Sequence, residues 1–322
     1  MAPVSKKRVI AIDGGYDTYN QEIRILSEVG AQFELMPCGG DAGNIADKIR
    51  AAHALMVRES RIDAGMIASM PHLKAIVRYG IGVDNIDLAA AKQRCIAVAN
   101  VPDYGTEEVS DQAVALLLAV ARRVVTRDAA VRRGRWNVSR EEPMYRIAGK
   151  TLGLLGYGRI ARAVERKLRA FGVERVCVFD PFVSKSVQGV ELMTADEVCR
   201  QADYLSINAP NTPQTHHLLN AHRLALMKPT AMVVNTARGA LIDEAALVSA
   251  LQQRRIFGAG LDVYEREPFS TDNPLCQLDN VVLSDHTGWY SEESVKELQL
   301  KAAQEVGRIL SGKTPNHWCN PW

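Results

Sequence analysis

Three short stretches of the chain join an apolar run to side chains that can bind an anion or move a proton. Val233–Asp243 carries Arg238, Gly260–Pro268 carries Asp262, Glu265 and Glu267, and Leu283–Tyr290 carries Asp285 and His286. A guanidinium fork matches a carboxylate with two parallel hydrogen bonds. An imidazole exchanges a proton near neutral pH, and a nearby carboxylate favours its charged form. In open α/β sheets, ligands bind outside the carboxyl ends of the strands. An Arg, a Glu and a His arriving there from three strands suit one site. The turn Glu265-Arg266-Glu267-Pro268 leaves two candidates for the acid.

A second signal lies upstream. Thr151–Leu155 reads as a strand that runs into Gly156-Tyr157-Gly158-Arg159-Ile160-Ala161 and then a helical stretch, Ala163–Phe171. This is G-x-G-x-x-A, the dinucleotide fingerprint with Ala in the third place. Gly156 permits a tight turn, and Gly158 lets the backbone approach a pyrophosphate. Free N–H groups at the helix start, around Arg159 and Ile160, supply the anion site. The next strand, Val176–Phe179, ends in Asp180, at the distance expected for a ribose-binding acid. A carboxylate there accepts the ribose hydroxyls and repels a 2′-phosphate, so NAD is expected over NADP. Arg159 would soften that preference. Asp180-Pro181 is also a turn signal, which leaves a capping role for the same carboxylate.

The elements that must position these residues are legible as an alternation. Strand candidates are Val9–Ile12, Gln32–Met36, Ala54–Val57, Ala75–Arg78 and Ile96–Ala99, then Thr151–Leu155, Arg175–Phe179, Tyr204–Ile207, Met232–Asn235, Ile256–Gly258 and Val281–Leu283. Helical patterns lie between most of them. The expectation is an α/β protein with two Rossmann-like domains, parallel sheets and an active site in the interdomain cleft. Thr106–Arg133 lacks Gly and Pro and reads as one crossover helix, with Glu107 and Glu108 favouring its start. The amphipathic helix Ser291–Ser311 is expected to return to the first domain. The boundaries drawn are a discontinuous substrate domain, residues 1–101 and 288–322, and an NAD-binding domain, residues 102–287.

Composition narrows the function classes. The 322 residues fit about two domains. With 39 basic and 37 acidic residues the net charge is +2, so no field for nucleic acid or a membrane surface is expected. The longest apolar run, Ala113–Ala121, falls far short of the ~20 residues of a membrane span. Val9–Ile12 is too short for a secretory h-region. Six scattered cysteines without a C-x-x-C pair read as reduced thiols in a cytoplasmic protein. No Cys/His cluster suggests a metal site. The adjacent pair His216-His217, like His53, His72, His222 and His317, is read as structural.

At this point the sequence resembles the D-isomer-specific 2-hydroxyacid dehydrogenases over essentially its whole length. The segment Asn235-Thr236-Ala237-Arg238-Gly239-x-x-Ile242-Asp243 carries most of the likeness. Val77–Asp87 and Asn100–Val109 match the branch of phosphoglycerate dehydrogenase-like enzymes and C-terminal-binding-protein corepressors, and His286-x-x-Trp289-Tyr290-Ser291 looks nearest the corepressor-like group. The resemblance implies hydride transfer between NAD and a small 2-oxo or 2-hydroxy acid. Arg238 would bind the carboxylate and carbonyl, His286 would be the acid/base, and the family register selects Glu267 as its partner. Asp262 would lie near the nicotinamide, with Thr236, Ala237 and the loop of Ala209, Pro210 and Thr215 lining the cofactor. Arg78 and the Gly80-Ile81-Gly82 backbone would complete carboxylate binding, and Trp289 would shape the substrate pocket or serve as a packing aromatic.

The resemblance also implies a homodimer, with Ala113–Val125 at its interface unless that helix is buried within the chain. An NAD(H)-responsive corepressor-like binding protein and a formate- or phosphite-type dehydrogenase are the alternatives. Two departures stand out. Asp285 replaces a common Pro before the histidine, and Cys95 stands where Gly is usual, in a turn that would strain it if φ is positive. The chain ends soon after its last helix, so the C-terminal regulatory domain of longer phosphoglycerate dehydrogenases, and serine feedback through it, is not expected.

Overall fold

Short β-branched runs separated by helices fold into two parallel sheets. A computed structural model of the protein describes residues 6–136, 143–183 and 187–322. The chain divides into two compact units, Met1–Gly105 with Ser291–Trp322, and Thr106–Tyr290.

The first unit holds β1 (Lys7–Ala11), β2 (Ala31–Leu35), β3 (Ala54–Val57), β4 (Ala75–Arg78) and β5 (Ala97–Ala99), in the order β2-β1-β3-β4-β5 with every pair parallel. Central β3 is buried at all four positions, as a strand covered on both faces must be. The helix Glu292–Leu310 packs in this unit against the helix Asn20–Glu28 and β4. Its start follows from the residues. Ser291 and Ser294 form a reciprocal cap, and Glu292 and Glu293 sit at the positive end of the dipole. Its buried stripe, Leu298, Ala302, Val306 and Leu310, recurs at helical spacing. Gln299 donates to the Thr18 carbonyl and to the buried Glu22 carboxylate.

The second unit holds β6 (Thr151–Leu155), β7 (Arg175–Phe179), β8 (Glu191–Leu192), β9 (Tyr204–Ile207), β10 (Met232–Asn235), β11 (Gly258–Leu261) and β12 (Val281–Leu283). The order is β12-β11-β10-β9-β6-β7-β8, again all parallel. Strand order therefore reverses between β6 and β9, the topological switch point of a doubly wound sheet. One apolar layer runs from Leu155 through Val233 to Leu275, and the other joins Leu116, Leu117 and Val120 to Leu154, Val164 and Val176.

Three departures from the sequence reading have physical causes. The strand expected at Ile256–Gly258 is Gly258–Leu261. A Cβ on Gly260 would lie 2.8 Å from Cβ of Leu116, and one on Gly258 2.9 Å from Cγ1 of Val120. Low β-propensity disguises a strand whose glycines let a helix lie on it. The crossover helix is two helices, Thr106–Ala121 and Val124–Arg132, broken where Arg123 takes φ 51°. Its guanidinium sits 4.9 Å from the Phe257 ring centre and donates to the Pro143 carbonyl at 3.0 Å. The two-residue edge strand β8 has no run long enough to mark it. The polar stretch 132–146 lies partly outside the described residues. No described helix is long and apolar enough to cross a membrane, and no described group of three His, Cys, Asp or Glu could hold a metal ion.

Cys95 takes φ 52° in an exposed turn, so the substituted Gly position is strained in the way the sequence suggested. Cys95→Gly should raise the urea midpoint, with a net gain of roughly 0.5 kcal/mol after the added freedom of the unfolded chain is subtracted. An unchanged or lower midpoint would show that the turn carries no such strain.

Candidate active site

Because every strand of the second unit runs the same way, the loops that follow them emerge along one edge of the sheet. Gly156 follows β6, Asp180 follows β7, Asn208 follows β9, Thr236 follows β10, Asp262 follows β11 and Ser284 follows β12. Of these, Gly156, Asp180, Thr236 and Asp262 were singled out from the sequence, and strand direction brings them to one edge.

The fingerprint loop has the shape a dinucleotide needs. Gly156 takes φ 91°, and a Cβ on it would lie 2.8 Å from the Ala209 nitrogen, so two loops meet backbone to backbone at the switch point. A Cβ on Gly158 would meet nothing within 4 Å. The helix Arg159–Ala170 starts there without a side-chain cap, leaving its first turn to an external anion. Ile160 packs on the core, and Arg159 is exposed. Two buried polar atoms next to this crevice, Asn208 Oδ1 and Thr236 Oγ1, have no hydrogen-bond partner among the described residues. They follow adjacent strands paired at Ile207 and Asn235. Buried polar atoms without partners are rare in a protein left to itself, and a polar ligand at this edge would satisfy them. The residues present therefore fit a nicotinamide dinucleotide.

Asp180 serves the turn reading and leaves room for the ribose reading. Its Oδ2 accepts from the Tyr157 N–H and its Oδ1 from the Phe182 N–H, both at 2.8 Å. Each oxygen keeps a second lone pair. In the loop after β9, the Thr215 hydroxyl donates to the Pro210 carbonyl at 2.6 Å and accepts from the Thr212 N–H, so it shapes the loop. Ala209 is buried beneath it.

The residues expected to react sit further along the edge. Buried Asn235 fixes the turn after β10. Its amide donates to the Arg238 carbonyl at 2.9 Å and accepts from the Ala237 N–H at 3.0 Å. His286 Nδ1 lies 2.7 Å from Glu267 Oε2, and the other carboxylate oxygen accepts from the Tyr264 N–H at 2.9 Å. Burial pushes the Glu267 carboxyl up. The His286 hydrogen bond and charge, the Tyr264 N–H and the Arg238 charge outweigh it and hold the carboxyl below its ordinary value. Glu265, the rival acid, pairs instead with His217. Asp285 accepts from the Thr287 hydroxyl at 2.8 Å, a local bond within its own loop.

Asp262, expected near the nicotinamide, is only 2% exposed. Its Oδ1 accepts from the Ser284 hydroxyl at 2.6 Å and the Thr287 N–H at 3.2 Å, and its Oδ2 from the Gly288 N–H at 2.9 Å. These bonds brace the loop on which His286 stands at φ 57°. Trp289 follows that loop, half-buried, with its ring centre 5.7 Å from that of Tyr290.

Within the first unit, Arg78 Nε donates to the Arg58 carbonyl at 3.1 Å, and a Cβ on Gly80 would fall 1.5 Å from the Arg78 guanidinium. The Gly80 N–H donates to the Arg78 carbonyl at 3.0 Å, so the expected contribution of the 80–82 backbone to an anion falls to Ile81 and Gly82. Asn208 and Asn235 escaped the sequence reading. Their signal is a polar amide at the end of an apolar strand, which also describes ordinary turns.

Residues 114–288 match the family model described as D-isomer specific 2-hydroxyacid dehydrogenase, NAD binding domain. The chain is 38% identical over 307 residues to D-3-phosphoglycerate dehydrogenase of Methanocaldococcus jannaschii, covering 94% of this chain but 58% of that one. It is 36% identical over 308 residues to glyoxylate reductase of Korarchaeum cryptofilum, covering 92% of each. Among solved structures, it superposes with TM-score 0.85 and 28% identity on an NADPH-dependent glyoxylate/hydroxypyruvate reductase from Sinorhizobium meliloti in complex with NADP and malonate, covering 98% of this chain and 97% of that one.

The depressed Glu267 carboxyl has a signed consequence. Such a group contributes stability that is present above its unfolded value of 4.5 and is lost as pH falls through the lower folded value. The melting-temperature gap between wild type and Glu267→Gln should hold from near neutrality down to pH 4.5 and close below it. A gap that closes well above 4.5 would contradict the pairing.

Proposed function

The chain belongs to the D-isomer-specific 2-hydroxyacid dehydrogenases, and on that premise we propose that it interconverts a 2-oxo acid and a D-2-hydroxy acid with NAD as hydride carrier. The unit Thr106–Tyr290 is the cofactor-binding domain in this reading, and the other unit supplies substrate contacts. The observation that carries the proposal is the 2.7 Å pair of His286 and Glu267 beside the turn of Arg238.

When bound, a nicotinamide would supply or accept the hydride, and the remaining roles fall to residues of this chain. Arg238 binds the substrate carboxylate and polarises the carbonyl. With Nδ1 bound to Glu267, Nε2 of His286 is the nitrogen left to give its proton to the carbonyl oxygen as it becomes an alcohol, and to take it back in reverse. Glu267 holds the ring in one orientation. Arg78, Ile81 and Gly82 are the first unit's candidates for the substrate carboxylate, and Trp289 is a candidate for the substrate pocket. Gly156, Gly158, Arg159 and Ile160 carry the pyrophosphate, Asn208 and Thr236 offer polar atoms to the nicotinamide half, and Asp180 takes the adenosine ribose. The lone pairs left on Asp180 favour NAD over NADP.

The test is a screen of NADH and NADPH oxidation over plain and phosphorylated 2-oxo acids. NADH should support the faster turnover. His286→Ala and Arg238→Ala should each lower kcat/KM by roughly a thousandfold while NADH binding persists. Turnover like the wild type in both variants would reject these roles, and faster turnover with NADPH would reject the cofactor choice.

The reading includes a homodimer. Of Ala113–Val125, the stretch expected at the interface, residues 113–121 are largely buried against β10 and β11 within their own unit. Val124 and Val125 of that stretch, with Val131 on the same following helix, are each at least half exposed, and they are the proposed contact. Light scattering at micromolar concentration should give a dimer, and Val125→Glu a monomer. A monomeric wild type would end this proposal.

A further inference from the structure

We propose that His217 and Glu265 form a positioning pair, which ties the loop after β9 to the turn that carries Glu267. The inference rests on the reading of that loop as cofactor-lining. His217 Nε2 lies 2.6 Å from Glu265 Oε1, each side chain 35% exposed. The His216 ring stacks on the His217 ring with centres 3.9 Å apart. The backbone joins in, because the His217 N–H donates to the Ala240 carbonyl at 2.8 Å.

Both ends of the pair lead to reacting groups. At one end, His217 closes the loop that begins at Ala209, against which Gly156 is pressed. At the other, a Cβ on Gly239 would fall 1.8 Å from the Tyr264 carbonyl carbon and 2.4 Å from the Glu265 nitrogen. The turn after Arg238 therefore lies flush on the 264–265 peptide. The Tyr264 N–H in turn donates to Glu267, which holds His286. Glu265 is braced by the helix Glu244–Gln252, since its N–H donates to the Glu244 carboxylate at 3.2 Å.

The pair repeats the His286–Glu267 pair two residues away on the same turn. His217 and His286 both stand on left-handed backbone, at φ 50° and 57°. Each such residue costs folding free energy and persists where its surroundings hold it. A pair this exposed adds little to global stability. Its consequence is local, in the registry of two loops that must agree on one cofactor.

The experiment compares His217→Ala, His217→Gln, Glu265→Ala and the double alanine variant in the full chain. NADH affinity is measured by calorimetry without 2-oxo acid, beside kcat and the melting temperature. His217→Ala should weaken NADH and lower kcat by about tenfold each with the melting temperature nearly unmoved. Glu265→Ala should match it, and the double variant should be no worse than either single one. His217→Gln, whose amide can still donate to Glu265, should recover most of the loss. NADH affinity within about twofold of wild type in His217→Ala, or additive losses in the double variant, would overturn the proposal. A chain that turns over no 2-oxo acid would defeat the functional reading instead, while the NADH affinities would still decide this one.

Discussion

Asp262 is the carboxylate on which the geometry of the loop carrying His286 depends. A carboxyl group at 2% exposure needs hydrogen-bond partners, because an unmet buried hydrogen-bonding group costs roughly 1–3 kcal/mol. Asp262 meets that demand by accepting from Ser284, Thr287 and Gly288, all in the loop that holds His286. A Cβ on Gly288 would fall 2.7 Å from Asp262 Oδ2, so the loop must carry glycine to come close enough. Gln112 adds a bond to Ser284 at 2.9 Å, and the Tyr264 hydroxyl donates to the Ser284 carbonyl at 2.7 Å. The imidazole stands on a loop bonded on several sides, the kind of support that the proposed role of His286 needs.

The same logic runs through the rest of the second unit. Asn235 braces the turn of Arg238 as Asp262 braces that of His286, with a buried amide in place of a buried carboxyl. Gly156, Gly239 and Gly260 mark places where backbone meets backbone or helix meets strand without an intervening side chain. Polar groups at the ends of β9 and β10 break the pattern. Asn208 Oδ1 and Thr236 Oγ1 are buried without partners among the described residues, and such atoms gather where a ligand completes the structure. A sheet edge otherwise so fully bonded leaves them as the places where something else is expected to bind.

Much of this was legible in the residues. Seven of the strand candidates coincide with the observed strands, including β6 and β10, because a fully buried parallel strand is a short apolar run bounded by polar turns. The fold class followed from their alternation with helices. Ile256–Gly258 misled for a local reason, since β11 keeps glycines that a propensity scale penalises but a close-packed helix demands. Arg123 misled in the opposite way. Arg is a good helix former, and only its contacts with Phe257 and Pro143 reveal why the helix ends.

The sequence by itself determined the residue types, their order along the chain and the parallel topology, since these follow from periodicity and from polar side chains at the ends of apolar runs. Local pattern left Glu265 and Glu267 both open as the partner of His286, and only the family register chose Glu267, because two residues of one exposed turn differ only in where tertiary contacts aim them. It could not reveal that Asp262 faces inward to brace a loop, nor that His217 meets Glu265 across 48 residues of chain. Those outcomes depend on distances between loops that no local pattern records. They were decided when strands far apart in sequence delivered their ends to the same edge of one sheet.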